Sequence, residues 1–416
     1  MRHIAFLLPT LDRIGGAERQ VVLIAKWLAA RGWRVTITAL SGTCGDFCGE
    51  LHNAGVEFFS LHMKRGLADP RGWMRFNAWL RQHRPDILHA HLPHAAWLAR
   101  WSRLAAPVRV LVDTIHTAGT GTGGRQLGYR VSNWLTNQIT IVSEGAAQAW
   151  TSTQIVSSKQ LKIVPNGIDA DAWRPDPAAR AALRAQLGLR DEFLWIAAGR
   201  LEPVKNFPAL LQAMAAIPQQ ARLVIAGSGS QAEALWSQAR SLGIESSVRF
   251  PGHQSDLRRW MQAGDGFALS SHWEGLPMSL LEAGACGLPC VSTAVAGATE
   301  IVLDGQTGFL VPAGEQDALQ HAMRRMMEMH PEERESMGAS ARQSVISRYS
   351  VRSVLDRWED LYNGLLVKHP EATRWSRHAK SDHAKPDYVL HSGSPIFPAA
   401  IAEPASSPNG VGADGS

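Results

Sequence analysis

No run in this chain approaches the ~18 uninterrupted apolar residues of a membrane-spanning helix. Cysteine is scarce, four among 416 residues, placed as Cys44/Cys48 and Cys286/Cys290. That spacing is not the usual tight pairing of a structural zinc site, so free thiols in a reducing compartment are expected. A signal-peptide pattern is lacking, because the strand-like run His3–Leu8 begins at once. The expected location is the cytoplasm, with peripheral attachment to the inner face of the plasma membrane as an extension of it. The Gly-x-Gly-x-x-Gly fingerprint is missing after the first strand, which counts against a dinucleotide cofactor.

Acids are scarce in one region. Between Lys64 and Arg130 there are eleven Lys/Arg but only Asp69, Asp86 and Asp113, and five tryptophans run from Trp73 to Trp134. Arginine with tryptophan suits an anionic membrane surface, where the rings sit at headgroup level. The other reading is a crossover helix over residues 71–84 whose Trp73, Phe76 and Leu80 form one buried face. No base-reading motif accompanies the charge, so nucleic acid is not an expected partner.

What the chain does have is ordinary globular composition, 45% hydrophobic and 19% charged, and a length that suggests two domains. Short apolar runs alternate with helical stretches, as a parallel α/β sheet requires. Strands are expected at 4–9, 35–40, 56–61, 86–89, 108–115 and 139–142, with an amphipathic helix at 17–30. A second series follows at 193–198, 223–226, 248–250, 266–269 and 290–292. The fold class is therefore α/β, two Rossmann-like domains facing a central cleft. The boundaries are 1–168 for the first domain, 169–190 for a linker, and 191–349 for the second. A C-terminal helix at 350–366 and a disordered tail at 367–416 complete the chain. Ligands of such sheets bind beyond the carboxyl ends of the strands.

The residues at those ends carry the chemistry. Gly15-Gly16 follows the first strand and opens a helix, allowing backbone to approach a ligand. Arg200 and Lys205 share the loop after the first strand of the second series, where two cations can meet a diphosphate. Pro251-Gly252-His253 ends another strand and can approach a base ring. Asp113–Thr117 ends the fifth strand and brings His116 to the cleft from the other side. His89 and His91 alternate on one strand without a nearby acid or cysteine to complete a metal set. Glu274 and Glu282 stand with seven residues between them, around Gly275-Leu276-Pro277 and the start of a helix, with Pro277 in its first turn. An acid on either side of a phosphate-favouring helix start suits a nucleotide-diphosphate sugar. Asp169-Ala170-Asp171 has the look of a metal-binding Asp-x-Asp, but its place in the linker makes it structural.

As an ordered set these motifs resemble the retaining GT-B glycosyltransferases of family 4. The set comprises Gly15-Gly16, Asp86–His91, Pro165–Asp169, Gly199-Arg200-Leu201 with Lys205-Asn206, Glu274…Glu282, Gly287-Leu288-Pro289 and Asp304–Val311, over residues 3 to 366. The resemblance implies that Arg200 and Lys205 neutralise the donor diphosphate and that Glu282 holds the ribose hydroxyls. Glu274 would contact the transferred sugar, Gly275, Leu276 and Pro277 would line its pocket, and His116 would sit near the reacting sugar. Gly16 would let donor and acceptor approach, and Gly252 with His253 would complete the donor site. The expected activity is sugar transfer from a nucleotide-diphosphate sugar to a glycan or lipid-linked acceptor, without a metal or other cofactor. A nucleotide-sugar epimerase, a pyridoxal-dependent phosphorylase and a non-catalytic nucleotide-sugar-binding subunit remain as alternatives.

Overall fold

The computed structural model describes residues 1–12, 15–64, 69–121, 123–217 and 220–370. Arg13 and Ile14 of the glycine turn, Arg65 of the basic stretch and the tail from residue 371 lie outside the described residues.

The first sheet contains β1 (His3–Leu8), β2 (Arg34–Ala39), β3 (Glu57–Ser60), β4 (Ile87–His91), β5 (Val110–Ile115), β6 (Gln138–Ile141) and β7 (Leu161–Ile163). Its helices are α1 (Gly16–Ala30), α2 (Cys48–Asn53), α3 (Pro70–His83), α4 (Pro93–Ser102), α5 (Gly123–Ser132) and α6 (Glu144–Ser152). The second sheet contains β8 (Phe193–Ala198), β9 (Ala221–Ala226), β10 (Val248–Arg249), β11 (Gly266–Leu269), β12 (Cys290–Thr293) and β13 (Gly308–Val311). Around it stand α7 (Pro177–Leu187), α8 (Phe207–Ala215), α9 (Ala232–Ser241), α10 (Arg258–Ala263), α11 (Met278–Ala285), α12 (Ala298–Ile301), α13 (Gln316–Glu328) and α14 (Pro331–Tyr349). The last helix, α15 (Val351–Lys368), outruns the expected end at 366 by two residues.

Both sheets are parallel throughout. Their orders are β3-β2-β1-β4-β5-β6-β7 and β10-β9-β8-β11-β12-β13. Strand order reverses between β1 and β4 and again between β8 and β11, and a crevice opens beyond the carboxyl ends at such a point. The central strands β1, β5 and β8 are buried along their whole length, which is why they read as unbroken apolar runs. The short strands β7 and β13 were not among those expected.

Helix α15 does not stay with the second sheet. Val354, Leu355, Trp358, Leu361 and Tyr362 pack with α1 and residues of β1, β2 and β5 in the first domain's core. On the opposite face, α3 and α4 pack against residues of β1, β4 and β5 through Phe76, Trp79, Leu80, Ala95, Ala96 and Ala99. Trp73 is not part of that face: it is exposed, and Trp79 fills the core in its place.

Three further expectations are corrected. Cys44 and Cys48 are joined by a disulfide, because the turn entering α2 brings their Cα atoms to 5.0 Å. Only Cys286 and Cys290 are free, and both are buried. The segment 169–190 is not all linker: Asp176 caps α7, and Arg180 and Arg184 tie that helix to Asp265 beside the second sheet. Asp113 does not face the cleft. Its carboxylate accepts from Arg100 Nε at 2.7 Å inside the core, where Arg100 also donates to Ser132 and Asn133. Among the described residues no helix is long and apolar enough to cross a membrane.

Both members of the Arg100–Asp113 pair are essentially inaccessible. Arg100→Leu is therefore expected to destabilise the first domain by about 3–5 kcal/mol, since it strands a buried carboxylate. Chemical denaturation checks it, and the Arg100→Leu/Asp113→Asn double variant should recover part of the loss.

Candidate active site

The site is built on loops that leave the carboxyl ends of the strands on both sides of the order reversal. From the second sheet, the β8 exit carries Arg200 and, as the last residue of a 3-10 turn, Lys205. That turn is fastened from β11: Ser270 Oγ donates to the carbonyls of Lys205 and Asn206, and His272 N–H donates to Val204 O. Lys205 Nζ then donates to Glu274 Oε1 at 2.6 Å, and Ser271 Oγ donates to the same oxygen at 2.6 Å. Arg200 is exposed, so its guanidinium is open to solvent in the unliganded protein.

Glu282 sits in the second turn of α11, buried, with Arg19 of α1 at 3.9 Å. Burial pushes its carboxyl up to about 7, against the pull of Arg19 and Lys205. Burial likewise raises Glu18, next to Arg19 in α1, with Arg200 acting in the opposite sense. The first turn of α1 thus presents both signs of charge to the second domain. Pro277 occupies the cap position just before α11 rather than its first turn.

The first domain supplies the other wall. His116 follows β5, and its Nε2 lies 2.9 Å from Nδ1 of His91 at the end of β4. His89, one strand step back, meets Tyr362 Oη of α15 at 2.8 Å and Thr114 Oγ1 at 2.6 Å. Burial drives His116 down to about 4 and holds His89 and His91 well below the ordinary imidazole value. All three are therefore neutral at physiological pH and act through tautomers rather than charge. Among the described residues no group of three or more His, Cys, Asp or Glu could hold a metal ion.

The two walls touch at a glycine. A Cβ on Gly275 would overlap the carbonyl oxygen of His116, so only glycine lets the Glu274 loop lie against the His116 loop. Ser143 Oγ donates to Gly275 O at 2.6 Å and Asn166 Nδ2 donates to Leu276 O. Gln20 of α1 exchanges two hydrogen bonds with Gly167 and approaches the sulfur of Met278. A Cβ on Gly16 would press on that same Met278.

Lys205, Glu274 and Glu282 are thus brought together, with Arg200 on the same loop as Lys205 and Gly275 against His116. Gly252 accepts from Gly227 N–H where β9 ends, and His253 beside it is exposed. Asp169 accepts from the N–H groups of Asp171 and Ala172, a local turn that accounts for its carboxylate. Missing from the sequence reading were Glu18, Arg19, Gln20 and the His91–His116 contact. Of these, only Gln20 carries a sequence signal, being a polar residue at a core-facing position of α1.

Two doubly wound domains facing a cleft, with a cationic loop and two acids gathered on the second domain's side of it, are the GT-B architecture. Residues 14–172 match the family described as Glycosyltransferase Family 4, and residues 179–344 that described as Glycosyl transferases group 1. The chain is a GT-B glycosyltransferase carrying these two domains in that order. EpsD of Bacillus subtilis (strain 168), a protein named as a glycosyltransferase, is 28% identical over 360 residues, 82% of this chain and 92% of its own. The UDP-Gal:alpha-D-GlcNAc-diphosphoundecaprenol alpha-1,3-galactosyltransferase of Escherichia coli is 24% identical over 302 residues, 69% of this chain and 78% of its own. HepE of Anabaena, solved in complex with UDP-glucose, superposes with a TM-score of 0.77 at 24% identity, covering 88% of this chain and 100% of its own.

Glu282 has a consequence for stability. Burial raises its folded-state value from 4.5 to about 7, so the folded chain keeps a proton that the unfolded chain has released. That contribution is fully present below about pH 4.5 and is lost as pH rises through about 7. Glu282→Gln is expected to remove the loss. The melting-temperature difference, variant minus wild type, should grow more positive from about pH 5 to about pH 8.

Proposed function

We propose that this glycosyltransferase moves a sugar from a nucleoside diphosphate to an acceptor hydroxyl with retention of anomeric configuration. The acceptor is a glycan or lipid-linked saccharide of cell-envelope or extracellular polysaccharide assembly. The observation that carries the reading is Lys205, an ammonium held by Glu274, with Glu282 near enough to feel its charge. One cation thereby bears on two carboxyls that suit hydroxyl-bearing groups at either end of a diphosphate. The names of relatives point the same way: UDP-galactose and a diphosphoundecaprenol acceptor for the Escherichia coli enzyme, UDP-glucose for HepE.

In this reading Arg200 and Lys205 take up the charge that develops on the departing diphosphate. Glu282 accepts hydrogen bonds from the ribose, and Glu274 from the transferred sugar. Gly275, Leu276 and Pro277 line the pocket, while Gly16 and His116 border it from the first domain. Gly252 and His253 lie toward the base. Glu274 Oε1 is already engaged by Lys205 and Ser271, which suits a binding group better than a nucleophile. Transfer therefore proceeds on one face of the sugar. The bond from the anomeric carbon to the phosphate oxygen breaks, the acceptor oxygen bonds to that carbon, and its proton passes to the departing phosphate. Neutral His116 contributes shape and hydrogen bonding, and no metal is required.

The test begins with thermal stabilisation by a panel of nucleotide sugars headed by UDP-glucose and UDP-galactose, followed by product analysis with labelled donor. Transfer that requires an acceptor and retains configuration is expected; conversion of the donor alone would mean an epimerase, and an inverted product would exclude the one-face mechanism. Arg200→Ala should lower kcat by about 100-fold or more, and near-normal turnover would remove Arg200 from its role. Activity should survive a strong chelator, with loss restored by added magnesium as the contrary result.

A further inference from the structure

The first domain carries an apolar surface that its own core does not use. On α4, Trp97 packs on Gly128 of α5, and Arg100 reaches Ser132 and Asn133 at the end of α5. One turn beyond Trp97, Trp101 is therefore level with residues 131–134, and Leu104 follows at the next turn position. Trp101, Leu104, Val131 and Trp134 point outward, whereas Arg100, Ser132 and Asn133 are buried beneath them. Trp134 is 67% exposed, Leu104 61% and Leu127 59%, and Trp101 and Val131 are also exposed. Leu127, Val131 and Trp134 stand at helical spacing, so they form one row. Trp73 and Met74 extend the exposed apolar surface onto α3, which packs beside α4 in the same core.

The charge around this row is of one sign. Asp69 caps α3 and faces Arg75, Asp86 faces Arg109, and Asp113 is buried on Arg100. No further acid occurs until Glu144. Among the described residues Arg71, Arg81, Arg84, Arg125 and Arg130 form no ion pair, and Arg81 donates to Ala105 O beside Leu104. An outward row of tryptophan and aliphatic side chains, flanked by guanidinium groups without acidic partners, complements a surface of anionic headgroups over acyl chains. A second copy of the chain would bring the same uncompensated arginines against one another.

We propose that the outer face of α4 and α5, extended by α3, docks on an anionic lipid bilayer, and that the acceptor enters the cleft from that bilayer. Helix α5 links the two places. Its cleft end follows the His116–Gly119 segment that touches the Trp273–Gly275 loop, and Leu127 lies about one turn along it. From Gly123 to Trp134 the span is roughly 18 Å, short enough for a lipid-linked saccharide to reach across while its lipid stays in the membrane. The acceptor half of this inference rests on the proposed transfer reaction; the docking half does not.

The full-length chain is to be sedimented with vesicles of phosphatidylcholine alone and of phosphatidylcholine with phosphatidylglycerol. Binding is expected only to the anionic vesicles, weakening as salt is raised, and the Leu127→Ser/Val131→Ser/Trp134→Ala variant should lose about 10-fold or more in partition coefficient. Its melting temperature and donor hydrolysis serve as the check on folding. Because no donor is present during sedimentation, a wrong donor assignment leaves the vesicle result standing. In a second measurement, brominated phosphatidylcholine in the anionic vesicles should quench wild-type tryptophan fluorescence, and the conservative Trp101→Phe/Trp134→Phe variant should lose most of that quenching. Wild type remaining in the supernatant with both vesicles, equal binding of the triple variant, or unchanged quenching in the double variant would each overturn the proposal. So would light scattering that shows a concentration-dependent dimer abolished by the triple variant.

Discussion

At Gly275 two backbones approach so closely that no side chain fits between them, and the cleft takes its shape from that approach. The loop it belongs to carries Glu274 on one side and leads into α11 with Glu282 on the other. The loop it touches carries His116. Ser143 and Asn166 of the first domain fasten the Gly275 and Leu276 carbonyls, so the contact is held by hydrogen bonds as well as by fit. Lys205 inherits its position from the same arrangement, because Glu274 and Ser270 grip its ammonium and its carbonyl. A methyl group at 275 would shift the acids of the second domain relative to the histidines of the first.

The electrostatics of the cleft follow from its dryness. Burial pushes the carboxyl of Glu282 up and the imidazole of His116 down, and both displacements favour the neutral form. The cations that bear on these groups differ in their shielding: Lys205 is largely buried and acts with less screening, whereas Arg200 is exposed to solvent. Lys205 and Arg19 both bear on Glu282, and Arg200 bears on Glu18. The second domain's cations and the first domain's helix start are thus electrostatically joined in the unliganded protein. A diphosphate entering between them would meet positive charge from one domain while changing the balance felt by the other.

Much of this was legible from the residues alone, and the exceptions have physical causes. The long central strands announced themselves because burial on both faces demands unbroken apolar runs. Strands β7 and β13 did not, being three or four residues long beside glycine- and proline-rich punctuation. Asp113 looked like a cleft residue because it precedes His116 by three positions, but strand alternation and Arg100 turn it into the core. Trp73 shares helical spacing with Phe76 and Leu80, yet the helix rotates so that Trp79 fills the interior. The His91–His116 contact depends on the register that sets His91 beside Thr114, and register is a tertiary property. Cys44 and Cys48 show the same limit, since their proximity comes from the turn between them.

Helix α15 has a consequence for how such a chain comes into being. Ile168 and the residues around Ser350 lie side by side, with Ile168 N–H donating to Tyr349 O and Val351 N–H donating to Ile168 O. The polypeptide therefore leaves the first domain and re-enters it at one crossing point, and the second domain is in effect an insertion. On a ribosome, the sheet from β1 to β7 emerges first, yet Trp358 and Tyr362, which close its core, emerge only after the whole second domain. For that interval Tyr362 is absent from His89, and the apolar face shared by α1 and the central strands is open. The domain begun first is finished last, so translation arrested before α15 leaves both domains made and only one of them sealed.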